Sequence, residues 1–295
     1  TTWIDITSSV TGTTVSYIDS TLTSSTTIQM RVLDAASNAG VANTKAIVID
    51  TTAPTTTVNI TAISTDSGTA GDFITNDNNG LTISATLSAA LVSGEKLMYS
   101  KDNGTTWIDI TSSVTGTTVS YIDSTLTSST TIQMRVLDAA SNAGVADSQA
   151  IVIDTTVAVP TLALATDSGS SNSDGITNIS TINVSNLESG ATWEYSVDGG
   201  SWTAGTGTSF NASAGTHTYS VRQTDVAGNV STGSSTVTYV LDSSAPTLTI
   251  SDNISTTTAT TAITYTFQFS EAVSDFDSSD IVITNTEIHS PSNED

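Results

Sequence analysis

The stretch TDSGTAGDFITNDN, residues 65–78, gathers Asp66, Asp72 and Asp77 without one basic residue; the nearest cations along the chain are Lys45 and Lys96. Carboxylates collected without counter-charge suit a hard divalent cation. Calcium takes roughly six to eight oxygens at about 2.3–2.6 Å from carboxylates, carbonyls and water. The plainer alternative is structural, because Asp and Asn also cap backbone groups in turns. A catalytic use of the acids is weaker. Asp275 and Asp277 in SDFDSSD are two neighbouring acids, but glycosidase carboxylates need a cleft and a set separation, so a solvated loop is expected. His217 lies in the alternating THTYSVRQ and His289 near the last residue; neither recurs, and a structural histidine is the expectation for His217. No serine occupies a G-x-S-x-G nucleophile elbow.

These acids belong to a chain of 295 residues with a formal charge of −23 and six Lys or Arg. Only 12% of residues are charged, about half the usual share. At 37% hydrophobic and regularly spaced, the chain is too apolar for a disordered acidic tail. Its negative field repels nucleic acid and anionic lipid, so neither is expected as a partner. No apolar run approaches a membrane span. The absence of cysteine excludes disulfides and thiolate metal sites. No signal-peptide pattern is read in these residues, but residue 1 is Thr and lies inside a repeat, so it is not expected to be the true N-terminus.

That repeat organises the chain. Residues 1–42 recur unchanged as residues 105–146, an offset of 104, and AIVIDTT follows at 46–52 and 150–156. A diverged copy ends in TYVLDSSAP and puts Asp242 in the place of Asp154, 88 residues on. Such periods exceed solenoid or propeller units and suit whole domains in tandem. The expected division is a back half-repeat over 1–52, complete repeats over 53–156 and 157–243, and a front half-repeat over 244–295.

Within a repeat the apolar residues alternate, as in half-buried strands. Val58, Ile60 and Ala62 form one series, and Leu81, Ile83, Ala85 and Leu87 the next. Leu97 and Tyr99 precede the Asn103-Gly104 turn signal, and Trp107 follows. Val119 and Tyr121, then Ile132, Met134 and Val136, lead to Ala150 and Val152 or Ile151 and Ile153. About seven strands without a helix predict an all-β fold: tandem immunoglobulin-like, seven-strand antiparallel sandwiches arranged as an elongated rod. Trp107 and Trp202 share a strand position, so core packing is expected over a sugar-stacking platform.

The motifs IVIDTTAP, YSKDNGTTW and DVAGN resemble the bacterial Ig-like repeats of very large surface adhesins. FQFSEAVSDFDSSDIVITN is similar to a related Ig-like subtype. The resemblance implies a non-catalytic extender on the cell surface, exported by type I secretion and stiffened by calcium between repeats. Its partners would be the neighbouring repeats of its own chain, with the host or surface ligand held by a domain outside this sequence. The alternative is a carbohydrate- or protein-binding Ig-like module of a secreted protein or enzyme.

Tracing the chain through such a sandwich places the acidic loop at one pole and the DVAGN or DAASN hairpin at the other. Neighbouring repeats then bring loop, linker and hairpin to one junction. The fullest calcium set is Asp66, Asp72, Asp77, Asp154, Asp225 and Asn229, near residue 154. Asp167, Asp174 and Asp242 form a partial set, with Ile179 in the place of Asp77, and Asp50, Asp138 and Asn142 form another. The junction at 154 is expected to bind most tightly and to stiffen the chain.

Overall fold

A computed structural model describes residues 2–169, 171–232, 235–254, 263–274 and 276–284. Two compact units emerge, Thr1–Thr156 with Val226–Asn229, and Val157–Asp225 with Val230–Asp295. Beyond three 3-10 turns, every regular element among the described residues is a strand.

The core of the first unit is a sandwich. One sheet orders Val114–Thr115, Thr118–Asp123, Leu81–Leu87 and Val58–Ile63; the other orders Ile74–Thr75, Asp147–Ile153, Thr130–Leu137, Lys96–Ser100 and Ile108–Asp109. Alternation decides which side chains meet. Leu81, Ile83 and Ala85 from one sheet and Leu97, Ile132, Met134, Val136 and Ile151 from the other join one buried cluster. Of the two readings of the last strand, Ile151 is the inward one, with Ile153 partly buried behind it. Across the core the Tyr99 hydroxyl donates to Asp123 at 3.1 Å, and burial pushes the Tyr99 phenol pKa up.

The structure departs from strict period-two reading at one strand. The Val58–Ile63 ladder slips between Ile60 and Ala62, so Ile63, not Ala62, takes the buried place. Such a bulge inserts a residue and re-aims those that follow. Antiparallel pairing is also not universal: Ile74–Thr75 runs parallel to Val152–Ile153. Part of the acidic loop itself runs along the last strand, and this pairing fixes the loop beside the linker.

The second unit repeats the plan. Thr161–Leu164, Thr181–Ser185 and Ser209–Asn211 make one sheet; Ile176–Thr177, Ser235–Leu241, Gly215–Thr224, Thr192–Val197 and Thr203–Ala204 make the other. Ile176–Thr177 again pairs in parallel, with Val240 and Leu241. Its core joins Leu162, Ile182, Val184, Trp193, Tyr219 and Val221. Asn103 and Gly104 and their counterparts Asp198 and Gly199 all have positive φ, as the two central residues of a type I′ turn do.

Each unit also carries an isolated hairpin. Thr26–Met30 pairs with Asn43–Ile47 in the first, and Leu248–Asp252 with Tyr265–Phe269 in the second. Ile28, Met30, Leu248 and Ile250 on them stay open, while Ile47, Phe267 and Phe269 are half-buried. A pair of substitutions in the second unit separates covered from uncovered positions. Ile182→Ala, at a fully buried site, is expected to cost about 2–5 kcal/mol. Ile250→Ala, at 61% exposure, is expected to cost under about 0.5 kcal/mol. Denaturant unfolding followed through Trp193 measures both.

Candidate functional site

The acidic loop is built by its own backbone. Asp72 Oδ1 accepts the Ile74 N–H at 2.9 Å, Asp77 Oδ1 accepts that of Asn79 at 3.0 Å, and Asp66 Oδ2 accepts that of Gly71 at 2.6 Å. Loop and linker are then joined, because the Asp154 N–H donates to the Thr75 carbonyl at 2.9 Å.

A third segment reaches the same place within the first unit, the hairpin tip Val226–Asn229. Ser67 Oγ donates to the Ala227 carbonyl at 2.5 Å, and Asn229 Nδ2 donates to the Asp154 carbonyl at 2.8 Å. Gly68 sits so near the Val226 carbonyl that a Cβ there would stand 2.1 Å from its oxygen, and φ is +76°. Only glycine admits that approach. Asp225, the remaining member of the predicted set, is buried in the second unit.

Asn142 makes the same clasp, its Nδ2 donating to the Asp50 carbonyl at 3.0 Å. Its backbone N–H and Nδ2 also bind the two oxygens of Asp138, at 2.8 and 2.7 Å. Those bonds, the side-chain one foremost, hold the Asp138 carboxyl below the usual carboxylate range. In the second unit Asp174 Oδ1 accepts the Ile176 N–H at 3.0 Å and Asp167 Oδ2 that of Gly175 at 3.0 Å. The Asp242 N–H donates to the Thr177 carbonyl at 2.9 Å.

Two oxygens are left over. Asp66 Oδ1 and Asp167 Oδ1 are buried and have no hydrogen-bond partner, and they stand at equivalent places in the two loops. A buried carboxylate oxygen without a donor is costly, and a hard cation relieves that cost, so these two atoms fit calcium. The remaining predicted carboxylates do not crowd around them. Among the described residues no three His, Asp or Glu side chains stand together closely enough to hold a metal ion.

A sequence pattern that escaped the reading of the chain explains much of this. In Asp-x-Thr, one Asp oxygen accepts both the N–H and the hydroxyl two residues on, as at Asp5 and Thr7, Asp109 and Thr111, and Asp154 and Thr156. The Thr111 hydroxyl, foremost, and its N–H hold the Asp109 carboxyl down at about 2. Thr106 does the same for Asp102, also at about 2.

The tryptophan expectation needs correction. Trp107 and Trp202 are half-buried and belong to neither core cluster. Arg135 lies 3.9 Å over the Trp107 ring, Arg222 4.3 Å over Trp202 and Arg31 4.2 Å over Trp3. The position they share lies just before a strand, Ile108–Asp109 or Thr203–Ala204, and a guanidinium covers the ring there by cation–π contact. Core space is taken instead by Trp193, beside Tyr195 and Phe210.

His217 is held at both ring nitrogens, by Asp198 Oδ2 at 2.7 Å and the Ala214 carbonyl at 3.1 Å. Asp277 caps the short turn Ser278–Asp280. His289 and Asp275 lie outside the described residues. No helix among the described residues is long and apolar enough to cross a membrane.

No protein-family model matches the chain, and no curated protein matches it. Solved structures similar to it include the fibronectin(III)-like modules of Clostridium thermocellum CbhA, at 20% identity and TM-score 0.33, covering 63% of this chain and 95% of that one. A tetra-tandem repeat in the extending region of a large adhesion protein is 17% identical at TM-score 0.33, covering 83% and 70%. A Ca2+-stabilized adhesin that helps an Antarctic bacterium reach out and bind ice is 19% identical at TM-score 0.33, covering 78% and 60%. Likenesses this distant carry no argument about this chain, whose fold rests on its own strand pairing.

The titrating groups predict opposite pH responses. Asp102 and Asp109 titrate at about 2 in the fold, below the ordinary aspartate value of about 3.9. Their contribution is therefore present above about pH 4 and lost as pH falls toward about 2. The melting temperature is expected to drop through that window, and less so in Asp102→Asn/Asp109→Asn. His217 is raised, chiefly by its bond to Asp198, so its contribution is present below the ordinary histidine value and lost as pH rises through its own. NMR titration is expected to place His217 above about 6.5, and Asp198→Asn to bring it back.

Proposed function

We propose that the chain is a non-catalytic structural extender segment of a bacterial cell-surface adhesin, exposed outside the cell and projecting a binding domain located elsewhere. It comprises complete Ig-like repeats over 53–156 and 157–243, flanked by half-repeats over 1–52 and 244–295. The observation that carries this reading is the repeated clasp, Asn142 on the Asp50 carbonyl and Asn229 on the Asp154 carbonyl. A unique active site does not recur with each repeat. An amide gripping the connecting main chain does, and it gives successive modules the same anchorage.

Calcium is the second part of the proposal, supported by the two orphaned oxygens, Asp66 Oδ1 and Asp167 Oδ1. Asp72, Asp77, Asp154, Asp225 and Asn229 would complete the fuller set with Asp66. Asp174 and Asp242 would serve with Asp167, and Asp50, Asp138 and Asn142 would form the third set. The ion would supply two positive charges to a region whose acids have no cation of their own, and so stiffen the connection.

The alternative, a glycan-binding module, draws on the place of Trp107 and Trp202 outside both core clusters. Their covering arginines oppose it, because a sugar needs an open ring face.

Calorimetric titration of calcium into the full chain is expected to show saturable binding. Asp66→Asn and Asp167→Asn would each remove one class of site. Heats that never saturate at millimolar calcium would remove the metal from the proposal. Small-angle scattering with calcium and with chelator tests the stiffening, and an unchanged maximum dimension would count against it. A glycan array probed with the same chain is expected to stay blank.

A further inference from the structure

Four places in the chain set a glycine directly after an asparagine or an aspartate: Asn79-Gly80, Asn103-Gly104, Asp174-Gly175 and Asp198-Gly199. In such a pair the glycine nitrogen can attack the side-chain carbonyl carbon of the residue before it, because glycine carries no β-carbon to obstruct the approach. Two groups must be free for that. The acidic or amide side chain has to swing toward the nitrogen, and the glycine N–H has to lose its proton.

The fold ties down three of the four pairs. The Gly104 N–H donates to Ser100 Oγ at 2.9 Å, and Asn103 Oδ1 accepts from Gln133 Nε2 at 2.9 Å. The Gly175 N–H donates to Asp167 Oδ2 at 3.0 Å, and Asp174 Oδ1 accepts the Ile176 N–H at 3.0 Å. Asp198 is held through both oxygens, by the Thr218 N–H at 2.8 Å and by His217 Nδ1 at 2.7 Å. Asn79 is the exception. It is exposed, and among the described residues neither its side-chain amide nor the Gly80 N–H has a hydrogen-bond partner. Its own N–H donates to Asp77 Oδ1 at 3.0 Å, so the turn is fixed while the two reacting groups are not.

We propose that Asn79 is a self-modification site, converted to an acidic residue by its own main chain. The Gly80 nitrogen gives up its proton and bonds to Asn79 Cγ. The Cγ–Nδ2 bond breaks, the amide nitrogen leaves as ammonia, and a succinimide ring closes. Water then adds to either ring carbonyl and reopens the ring, leaving aspartate or isoaspartate. The balance is one water consumed and one ammonia released, with no oxidant, reductant or enzyme. The product places a new carboxylate beside Asp77, in a loop that already holds Asp66 and Asp72, so the negative charge of the loop rises with the age of the molecule. The step needs no cation and stands apart from the calcium reading.

Incubation of the full chain in mildly alkaline buffer, followed by peptide mapping with mass spectrometry, tests the assignment. Conversion at Asn79 is expected to run about tenfold or more faster than at Asn103, the factor that one hydrogen bond on the attacking N–H is worth. In concentrated urea, where the turns are lost, the two Asn-Gly pairs are expected to react at similar rates. Ser100→Ala frees the Gly104 N–H and is expected to speed conversion at Asn103 while leaving Asn79 unchanged. Equal rates at the two sites in the folded parent chain, a preference for Asn79 that persists in urea, or an unchanged Asn103 rate in Ser100→Ala overturns the proposal.

Discussion

Each sheet of this chain has one apolar face, and burial of that face against a second sheet is the interaction on which the rest depends. The repeated segment separates that interaction from everything local. In both copies an aspartate binds the asparagine four residues on, Asp34 to Asn38 and Asp138 to Asn142. In both, an arginine lies over a tryptophan. Turn chemistry thus follows from local sequence, and the cation–π contact forms within the repeated segment itself, without the facing sheet. Only the facing sheet turns Met30, at 45% exposure, into Met134, at 0%.

The second constraint is charge. With 29 acids against six bases, ion pairing cannot manage the negative field, and among the described residues Lys96 pairs with Asp109 and Arg222 with Glu194. Backbone N–H groups and hydroxyls do most of that work, one carboxylate at a time, inside turns of a few residues. Those bonds survive wherever the turn survives. At Asp66 and Asp167 one oxygen is left over from that work, which is why the acidic loops and the candidate cation sites share these residues.

Much of the sandwich was legible from period-two alternation, because Leu81, Ile83, Ala85, Ile132, Met134 and Val136 lie on strands whose pleat is regular. Ile63 was not, because a bulge changes which residue faces inward without changing the composition of the strand. The alternation also could not decide between the two faces of the last strand, where apolar residues occupy four successive positions from 150 to 153; contact with the core chose Ile151. At the candidate site, the meeting of loop, linker and hairpin followed from topology. The clasp did not, since whether an asparagine offers its oxygen or its nitrogen depends on the group opposite. The place of Trp107 outside the core was hidden for a similar reason: the arginine that covers it comes from a neighbouring strand.

The arginine–tryptophan contacts have a consequence for survival among proteases. All three arginines of the chain, Arg31, Arg135 and Arg222, lie over indole rings, and no Lys or Arg follows Arg222. A trypsin-like enzyme must draw a basic side chain into its own specificity pocket before it can cut. Here it finds few such side chains, and three of them must first be peeled from an aromatic surface. Scarce basic side chains, half of them lying over rings, leave a trypsin-like enzyme few places to engage the folded chain.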